Sequence, residues 1–169
     1  MKRLFLLRHA KSSWDDPELA DRERPLAPRG RRAAVLVAEH LRREGVSAEL
    51  VLCSSALRTR ETLAAILPAL DGDVEIRIEG GLYAVGADDL LERLRGIPES
   101  VTSVMVIGHN PGLQDLALML VAEGRGLDRL REKFPTGALA TLGFGDAPWS
   151  ALSAGDATLE AYVVPRELA

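Results

Sequence analysis

The sequence predicts an α/β fold, a three-layer α/β/α sandwich around a mostly parallel central sheet. Three segments carry continuous apolar runs rich in Val, Leu and Ile, and each run ends in polar residues. Such runs are typical of strands buried on both faces, which are usually parallel and need crossover helices between them. Amphipathic helical patterns follow the runs, as this fold requires. The three predicted buried strands are RLFLLRH (3–9), ELVLCSS (49–55) and SVMVIGHN (103–110).

Four segments between and after these strands are predicted to be helices. They carry apolar residues at the three- and four-residue spacing of a helix with one buried face. Pro28 suits the first helical position of the first segment, and Gly45 suits its C-terminal end. In the last segment Asn110 is a favourable N-cap residue and Pro111 a favourable N1 residue. The four predicted helices cover residues 28–45, 55–70, 87–96 and 110–124.

Three further strands complete the prediction. Residues 74–79 alternate between apolar and polar, which indicates a strand with one wetter face. Residues 138–145 and 157–165 indicate a terminal pair of strands, which could be antiparallel, joined through the loop-like stretch 143–156. No internal repeat or low-complexity linker interrupts this order. We therefore expect one domain over residues 1–169.

Composition excludes several classes of protein. The chain has 169 residues, 47% of them apolar, and a net charge of -4, which is unlike the basic footprint of a nucleic-acid-binding protein. No stretch reaches the roughly 18 apolar residues of a membrane span, and none resembles an export signal. Cys53 is the single cysteine, so an intrachain disulfide or a cysteine-based metal cluster is excluded. We expect a cytoplasmic protein without a membrane or nucleic-acid partner.

The polar residues that end the buried strands indicate an anion pocket. Arg8 and His9 end the first run, Arg58 lies one helical turn beyond the second, and His109 ends the third. Ligands of open parallel sheets bind at the carboxyl ends of the strands, where these residues would meet. Two guanidinium groups and two helix N-termini suit a tetrahedral oxyanion. No acidic residue belongs to the set and no nucleotide-binding glycine loop is present, so we expect neither a metal nor a cofactor.

Histidine at such a site supplies chemistry. Its imidazole is largely neutral at neutral pH and can attack phosphorus. The arginines would hold the equatorial oxygens of a phosphoryl group and absorb charge in the transition state. The second histidine could donate a hydrogen bond to the same group.

Four motifs in order resemble those of the histidine phosphatase superfamily, the phosphoglycerate-mutase-like enzymes. The short length and the RHAKSSW start are similar to the SixA type of phosphohistidine phosphatase within it. The resemblance implies a phosphoglycerate-mutase-like fold, with His9 as the nucleophile that is transiently phosphorylated. It also implies that Arg8, Arg58 and His109 complete the phosphate pocket. The motifs are LLRHA (6–10), RPLAPRG (24–30), LCSSALRTRET (52–62) and VIGHNPG (106–112).

Departures from the family pattern concern the general acid. Ala10 stands where glycine is usual, and Asp15 stands where many relatives have asparagine, which could weaken anion binding if its side chain points inward. Leu82 is followed by Tyr83 and Ala84, where many relatives have a general-acid glutamate. Asn110 stands where some phosphatases of the superfamily have aspartate. An alkoxide leaving group needs an acid more than a phosphohistidine does, because the second ring nitrogen of phosphohistidine can take a proton from water. The missing acid favours N–P bonds, with Glu79, Asp15 and Asp16 as remaining acid candidates.

Three function classes are therefore compared. We favour a phosphatase that acts on phosphohistidine in a partner protein, such as a phosphotransfer domain. The alternatives are a phosphatase of small phosphomonoesters on the same scaffold and a non-catalytic phospho-binding module. The binding module would be expected to have lost His9 or an arginine, and all four residues are present. A mutase is disfavoured because it needs the acid and a closed site.

Other residues near the motifs have structural interpretations. We interpret Ser54 and Ser55 as helix caps, because a serine hydrolase would need a GxSxG motif that the chain lacks. We favour Arg24 as a brace for the loop beside the pocket, with a widening of the anion site as the alternative, and we interpret Cys53 as a core residue. Trp14 suits the pocket rim or simple packing equally well.

Overall fold

A computed structural model describes residues 1–169, and one seven-stranded sheet runs through it. The strand order is β3-β2-β4-β1-β6-β7-β5. The first four strands of that order are parallel, β6 is antiparallel to both β1 and β7, and β5 is parallel to β7. The strands are β1 Lys2–Arg8, β2 Leu50–Ser54, β3 Glu75–Glu79, β4 Ser103–Gly108, β5 Val121–Gly124, β6 Leu139–Phe144 and β7 Ala157–Val163.

Helices cover both faces of this sheet, which confirms the predicted α/β sandwich. Leu4 and Leu6 of β1 belong to one apolar cluster, with α3 and α4, while Phe5 and Leu7 belong to the other, with α1 and α2. Successive residues of a strand point to opposite faces, so a strand buried on both sides must be apolar throughout. The helices are α1 Pro28–Arg43, α2 Leu57–Ile66, α3 Ala87–Arg95, α4 Gly112–Leu120, α5 Leu127–Glu132 and α6 Pro165–Leu168.

Helix α1 begins at the proline and ends next to the glycine that predict its limits. Pro28 is its first residue, and Gly45 follows its end with a φ of +61°, a left-handed conformation that glycine adopts without strain. Helix α2 is shorter than predicted, because it ends at Ile66 and passes into a short 3-10 turn that contains Pro68. Proline cannot donate the next intrahelical hydrogen bond. No helix is both long and apolar enough to cross a membrane.

The predicted helix over 110–124 is wrong at both ends. Its last four residues form β5 at the sheet edge, where they pair with β7. The apolar spacing of the sequence continues past Leu120, so it predicts more helix. The helix ends because the backbone of the following residues pairs with β7, which is distant in the chain. At the other end α4 begins at Gly112, so Asn110 is not the N-cap residue that the sequence predicts. The short helix α5 was not predicted. The antiparallel pairing of β6 and β7 confirms the proposed terminal pair.

Candidate active site

His9 and His109 follow the neighbouring parallel strands β1 and β4. The backbone N–H of His9 donates to the carbonyl of Gly108 at 3.1 Å, and the two imidazole ring centroids lie 5.4 Å apart. Arg8 from the end of β1 and Arg58 from the first turn of α2 line the same cavity, whose volume is about 380 Å³. The structure therefore brings together all four residues that the sequence selected.

His9 is held in one tautomer by its own neighbour. Its Nδ1 lies 2.7 Å from the carbonyl oxygen of Ala10, which can only accept a hydrogen bond. Nδ1 therefore carries the proton, and Nε2 carries a lone pair. Burial, followed by the nearby His109, Arg58 and Arg8, lowers the pKa of His9 to about 3, although the bond to Ala10 acts in the opposite direction. His9 is consequently neutral at pH 7.

His109 is oriented by Ser54, which lies at the end of β2. The His109 Nε2 and Ser54 Oγ atoms are 2.8 Å apart, and Ser54 is fully buried. Ser54 Oγ accepts from the backbone N–H of Ala56, so the acceptor left for its own hydrogen is Nε2. This places the His109 proton on Nδ1. Burial and the charge of Arg58 lower the pKa of His109 to about 4.

Arg8 and Asn110 share one backbone acceptor. The carbonyl of Phe134 accepts from Arg8 Nη1 at 3.0 Å and from Asn110 Nδ2 at 3.1 Å. Asn110 Oδ1 also accepts from the backbone of Gln114 inside α4, at 3.2 Å. Through these hydrogen bonds, Asn110 connects α4 to the segment whose carbonyl group positions Arg8. Burial, with the charge of Arg58 second, lowers the pKa of Arg8.

Asp21 holds Arg58 from outside the predicted set. Arg58 donates to the backbone oxygen of Asp21 at 2.7 Å and to its Oδ2 at 2.9 Å. The same carboxylate accepts from Tyr83 at 2.5 Å and from Arg24 at 2.8 Å. These bonds, that of Tyr83 foremost, hold the pKa of Asp21 well below its usual range. Sequence reasoning missed Asp21 and Tyr83, because no local pattern marks them and they meet only in the assembled fold.

Arg24 is the brace that the sequence indicated. It is 6% exposed and donates to the backbone oxygen of Ser13 at 3.1 Å, to Asp21 and to the hydroxyl of Ser12. Its guanidinium lies 3.2 Å from the ring centroid of Trp14, which is 74% exposed. Because Trp14 also lines the cavity, it lies at the rim.

Because residue 30 is a glycine, the first turn of α1 can approach the segment that follows His9. A side chain at Gly30 would collide with the backbone of Lys11, whose oxygen accepts from the backbone N–H of Ala27 at 2.9 Å. The motif RPLAPRG therefore fixes the segment that follows His9 against the first turn of α1.

None of the three candidate acids lines the cavity. Glu79 is bound by Arg93 through two hydrogen bonds of 2.8 and 3.0 Å, and Asp15 and Asp16 are exposed. The cavity has no carboxylate in its lining, so Asp15 does not point into it. No group of three or more His, Cys, Asp or Glu side chains is arranged to hold a metal ion.

The interpretation of two serines as helix caps is wrong, while that of Cys53 is confirmed. Helix α2 has no side-chain cap, because the hydroxyl of Ser54 is engaged with His109 and that of Ser55 is buried without a partner. Cys53 is fully buried, and burial raises the pKa of its thiol to about 12.

Comparison with known proteins agrees with this geometry. The sequence model of the histidine phosphatase superfamily (branch 1) matches residues 4–94, more than half of the chain. The chain belongs to the histidine phosphatase superfamily. Uncharacterized protein Rv1276c of Mycobacterium tuberculosis is 36% identical over 164 residues, which cover 95% of this chain and 100% of that protein.

Solved structures point to one type within the superfamily. A protein of Nakamurella multipartitia that has been assigned as a phosphohistidine phosphatase SixA superposes with a TM-score of 0.82 at 30% identity, covering 97% of this chain and 96% of the other. The protein histidine phosphatase SixA complexed with tungstate gives a TM-score of 0.80 at 25% identity, with 99% of each chain covered. The resemblance inferred from the motifs is confirmed, and it supports a phosphatase activity.

Proposed function

We propose that this chain dephosphorylates phosphohistidine on a partner protein through a transient phosphoryl group on His9. The observation that carries the proposal is the state of His9: a neutral imidazole with its lone pair on Nε2, in a cavity lined by Arg8, Arg58 and His109. A fixed nucleophile beside fixed donors is the arrangement that phosphoryl transfer needs.

In the first step, the Nε2 lone pair of His9 attacks the phosphorus atom of the substrate's phosphohistidine. A bond forms between Nε2 and phosphorus, and the P–N bond of the substrate breaks. The electron pair of that bond passes to the departing imidazole nitrogen. Arg8 and Arg58 bind the phosphoryl oxygens, and His109 donates its Nδ1 proton to one of them, which stabilises the transition-state charge.

In the second step, water attacks the phosphorus of the phosphorylated His9. The Nε2–P bond breaks, its electron pair returns to Nε2, and inorganic phosphate leaves. One proton of the attacking water passes to solvent. The Nδ1–H bond to Ala10 is kept through both steps, so His9 is restored in the tautomer in which it began.

The cavity lacks a side chain that could protonate an alkoxide leaving group, and a phosphohistidine substrate does not need one. No carboxylate lines the cavity, and the hydroxyl of Tyr83 donates to Asp21, so neither group supplies a proton to a departing alkoxide. A phosphohistidine protonated on its second ring nitrogen leaves as a neutral imidazole and needs no such donor. We therefore place phosphohistidine ahead of small phosphomonoesters.

The similarity to SixA in complex with tungstate also supports the proposal. Tungstate is a tetrahedral oxyanion like phosphate, and a pocket with two guanidinium groups suits both. We further propose that the reaction is independent of metal ions, because arginines supply the positive charge that a metal would provide. A rate that is unchanged by EDTA would agree with this.

The test uses a purified phosphotransfer domain phosphorylated on histidine, with p-nitrophenyl phosphate in parallel. We expect phosphate release from the domain to be faster than release from the ester and to fall by about 10⁴-fold or more in His9→Ala. His40→Ala is the matched control, since His40 lies on α1 outside the cavity. Rapid quenching with ³²P-labelled substrate should trap an acid-labile, alkali-stable phosphoryl group on the wild-type chain and on His40→Ala, but not on His9→Ala.

Other results would redirect the assignment. Release from p-nitrophenyl phosphate alone, dependent on His9, would make the chain a small-molecule phosphatase. Release that persists unchanged in His9→Ala would overturn the mechanism for either substrate. Phosphoprotein binding without release by the wild-type chain would point to a binding module.

A further inference from the structure

A second cavity lies beside the phosphate pocket and shares two lining residues with it. Its volume is about 370 Å³, and Lys11 and Thr136 line both cavities. The second cavity, here called the basic groove, is bounded by the start of α1, the segment after α5 and the C-terminal end of β7 with α6. Neither the family resemblance nor the proposed mechanism assigns a role to it.

The basic groove concentrates positive charge in a chain whose net charge is -4. One acidic residue, Glu132, lines it, against five basic residues. Among those five, Arg129 is paired with Glu167 and lies over the ring of Tyr162. The side chains of the other four form no hydrogen bond or ion pair and are exposed: Lys11, Arg29, Lys133 and Arg166.

The floor of the groove is less polar than its walls. Tyr162 and Val164 are buried, and Pro135, Pro165 and Ala33 are partly buried. Unpaired cations around an apolar floor suit an acidic protein surface, whose carboxylates can meet the walls while its aliphatic atoms cover the floor. A small phosphorylated molecule could occupy the phosphate pocket without reaching this surface.

We propose that the basic groove receives an acidic face of the partner protein next to its phosphohistidine. This proposal rests on the proposed function, because it places the partner's phosphoryl group in the adjoining pocket. Cations at the rim of a contact surface act mainly on the rate of association and on its dependence on salt. The groove would thus select among phosphoproteins by surface charge while the pocket carries out the same chemistry on each.

The experiment reverses charge on both sides of the groove with Arg29→Glu combined with Lys133→Glu. We expect kcat/KM for an acidic, histidine-phosphorylated phosphotransfer domain to fall at least tenfold at low salt, and its salt dependence to flatten. The rates at saturating phosphotransfer domain and with p-nitrophenyl phosphate should stay within twofold of wild type. The paired substitution Arg29→Gln and Lys133→Gln should give an intermediate loss.

A matched control changes the net charge equally at a distance. Arg42→Glu combined with Arg43→Glu lies at the far end of α1, about 20 Å from Arg29 at 1.5 Å per residue. Both control positions are exposed. This variant should lose less than threefold, because only its long-range field changes.

The outcomes separate this proposal from the proposed function. If wild type cleaves phosphohistidine and the groove variant matches the Arg42/Arg43 control, the groove proposal is wrong and the proposed function stands. If wild type does not act on phosphohistidine, the proposed function fails first. In that case, a groove variant that loses 3-phosphoglycerate hydrolysis but retains p-nitrophenyl phosphate hydrolysis would show that the groove binds the carboxylate of a small molecule, which overturns the acidic-protein proposal.

Discussion

The floor and the rim of the phosphate pocket are held by different kinds of bond. The floor consists of Arg8, His9 and His109 with Ser54, which binds His109, and the rim consists of Trp14, Arg24 and Tyr83 with Asp21, which binds Arg24 and Tyr83. Ser54 and Asp21 do not line the cavity themselves. Floor groups follow the ends of adjacent strands and bond to backbone atoms or to each other. Rim groups bond mainly side chain to side chain around one carboxylate that is half exposed.

This difference indicates that the floor residues carry the chemistry and that the rim residues position them and the substrate. The sheet fixes the floor, because a strand end cannot shift without breaking its ladder of hydrogen bonds. The rim depends on a cluster of charges that solvent partly screens, so each of its bonds is worth less. Substitutions in the floor should therefore lower kcat strongly, and substitutions in the rim should act modestly on affinity and orientation.

After His9→Ala, the largest effect is expected from Arg8→Ala, with Arg24→Ala as its partner on the rim. Removing one preorganised donor from a transition-state anion costs about 10²–10³-fold in kcat, and we expect that loss for Arg8→Ala. Arg24→Ala should cost less than about tenfold, because Arg24 braces Ser12, Ser13 and Asp21. Steady-state kinetics on the phosphohistidine substrate measure both losses. Equal losses would mean that Arg24 belongs to the anion site and that the division between floor and rim is wrong.

A smaller effect is expected from Ser54→Ala. The substitution removes the hydroxyl that fixes the His109 tautomer, and the loss of one such hydrogen bond, about 1–1.5 kcal/mol, corresponds to roughly tenfold in kcat. Ser55→Ala is the control, because the Ser55 hydroxyl is buried without a partner. Its kcat should be unchanged. A Ser54→Ala enzyme with wild-type kcat would show that His109 does not depend on Ser54.

Asp21→Asn should sharpen the comparison by acting in two directions. The neutral amide removes negative charge beside Arg58, so inorganic phosphate should inhibit more strongly. It also loosens Arg58, so kcat should fall. Because the Asp21 side chain is half exposed, each change should stay below about fivefold, as for an exposed ion pair. Phosphate inhibition constants and kcat, measured together, check this. A kcat loss of a hundredfold would place Asp21 among the floor residues.

The same contrast explains how much of the molecule could be predicted from the sequence. The floor was predictable because a continuous apolar run that ends in Arg8 and His9 locates both the strand and its carboxyl end. Strand ends in a parallel sheet then converge without further information. His109 followed from the same pattern, and Arg58 from its place one helical turn beyond the second run.

The rim could not be predicted, because its partners are distant in the chain and carry no periodic signal. Asp21 and Tyr83 are 62 residues apart and meet through one hydrogen bond. Strand β5 was missed for the same reason: the residues after Leu120 continue a helical spacing, and the backbone of β7 decides their conformation. Local patterns predict elements that are buried by their own periodicity, whereas contacts made by single side chains need the assembled fold.

The smallest effect concerns the charge of the floor histidines as pH changes. Burial lowers the pKa of His9 to about 3 and that of His109 to about 4, so both stay neutral from pH 8 to pH 5 in the free protein. Their imidazole signals in NMR spectra should be flat over that range, and a midpoint near 6.5 for either would contradict the prediction.

The unfolded chain takes up protons on these two imidazoles near pH 6.5 while the folded chain does not, so the free energy of unfolding should decrease as pH falls from 6.5 toward 4. Inorganic phosphate should weaken this dependence on pH. An anion held between the two rings favours their protonated forms, and the midpoints should move upward when phosphate is added. Titration midpoints that do not move when saturating phosphate is added would place the anion away from His9 and His109 and would remove the physical basis for a phosphorylated His9.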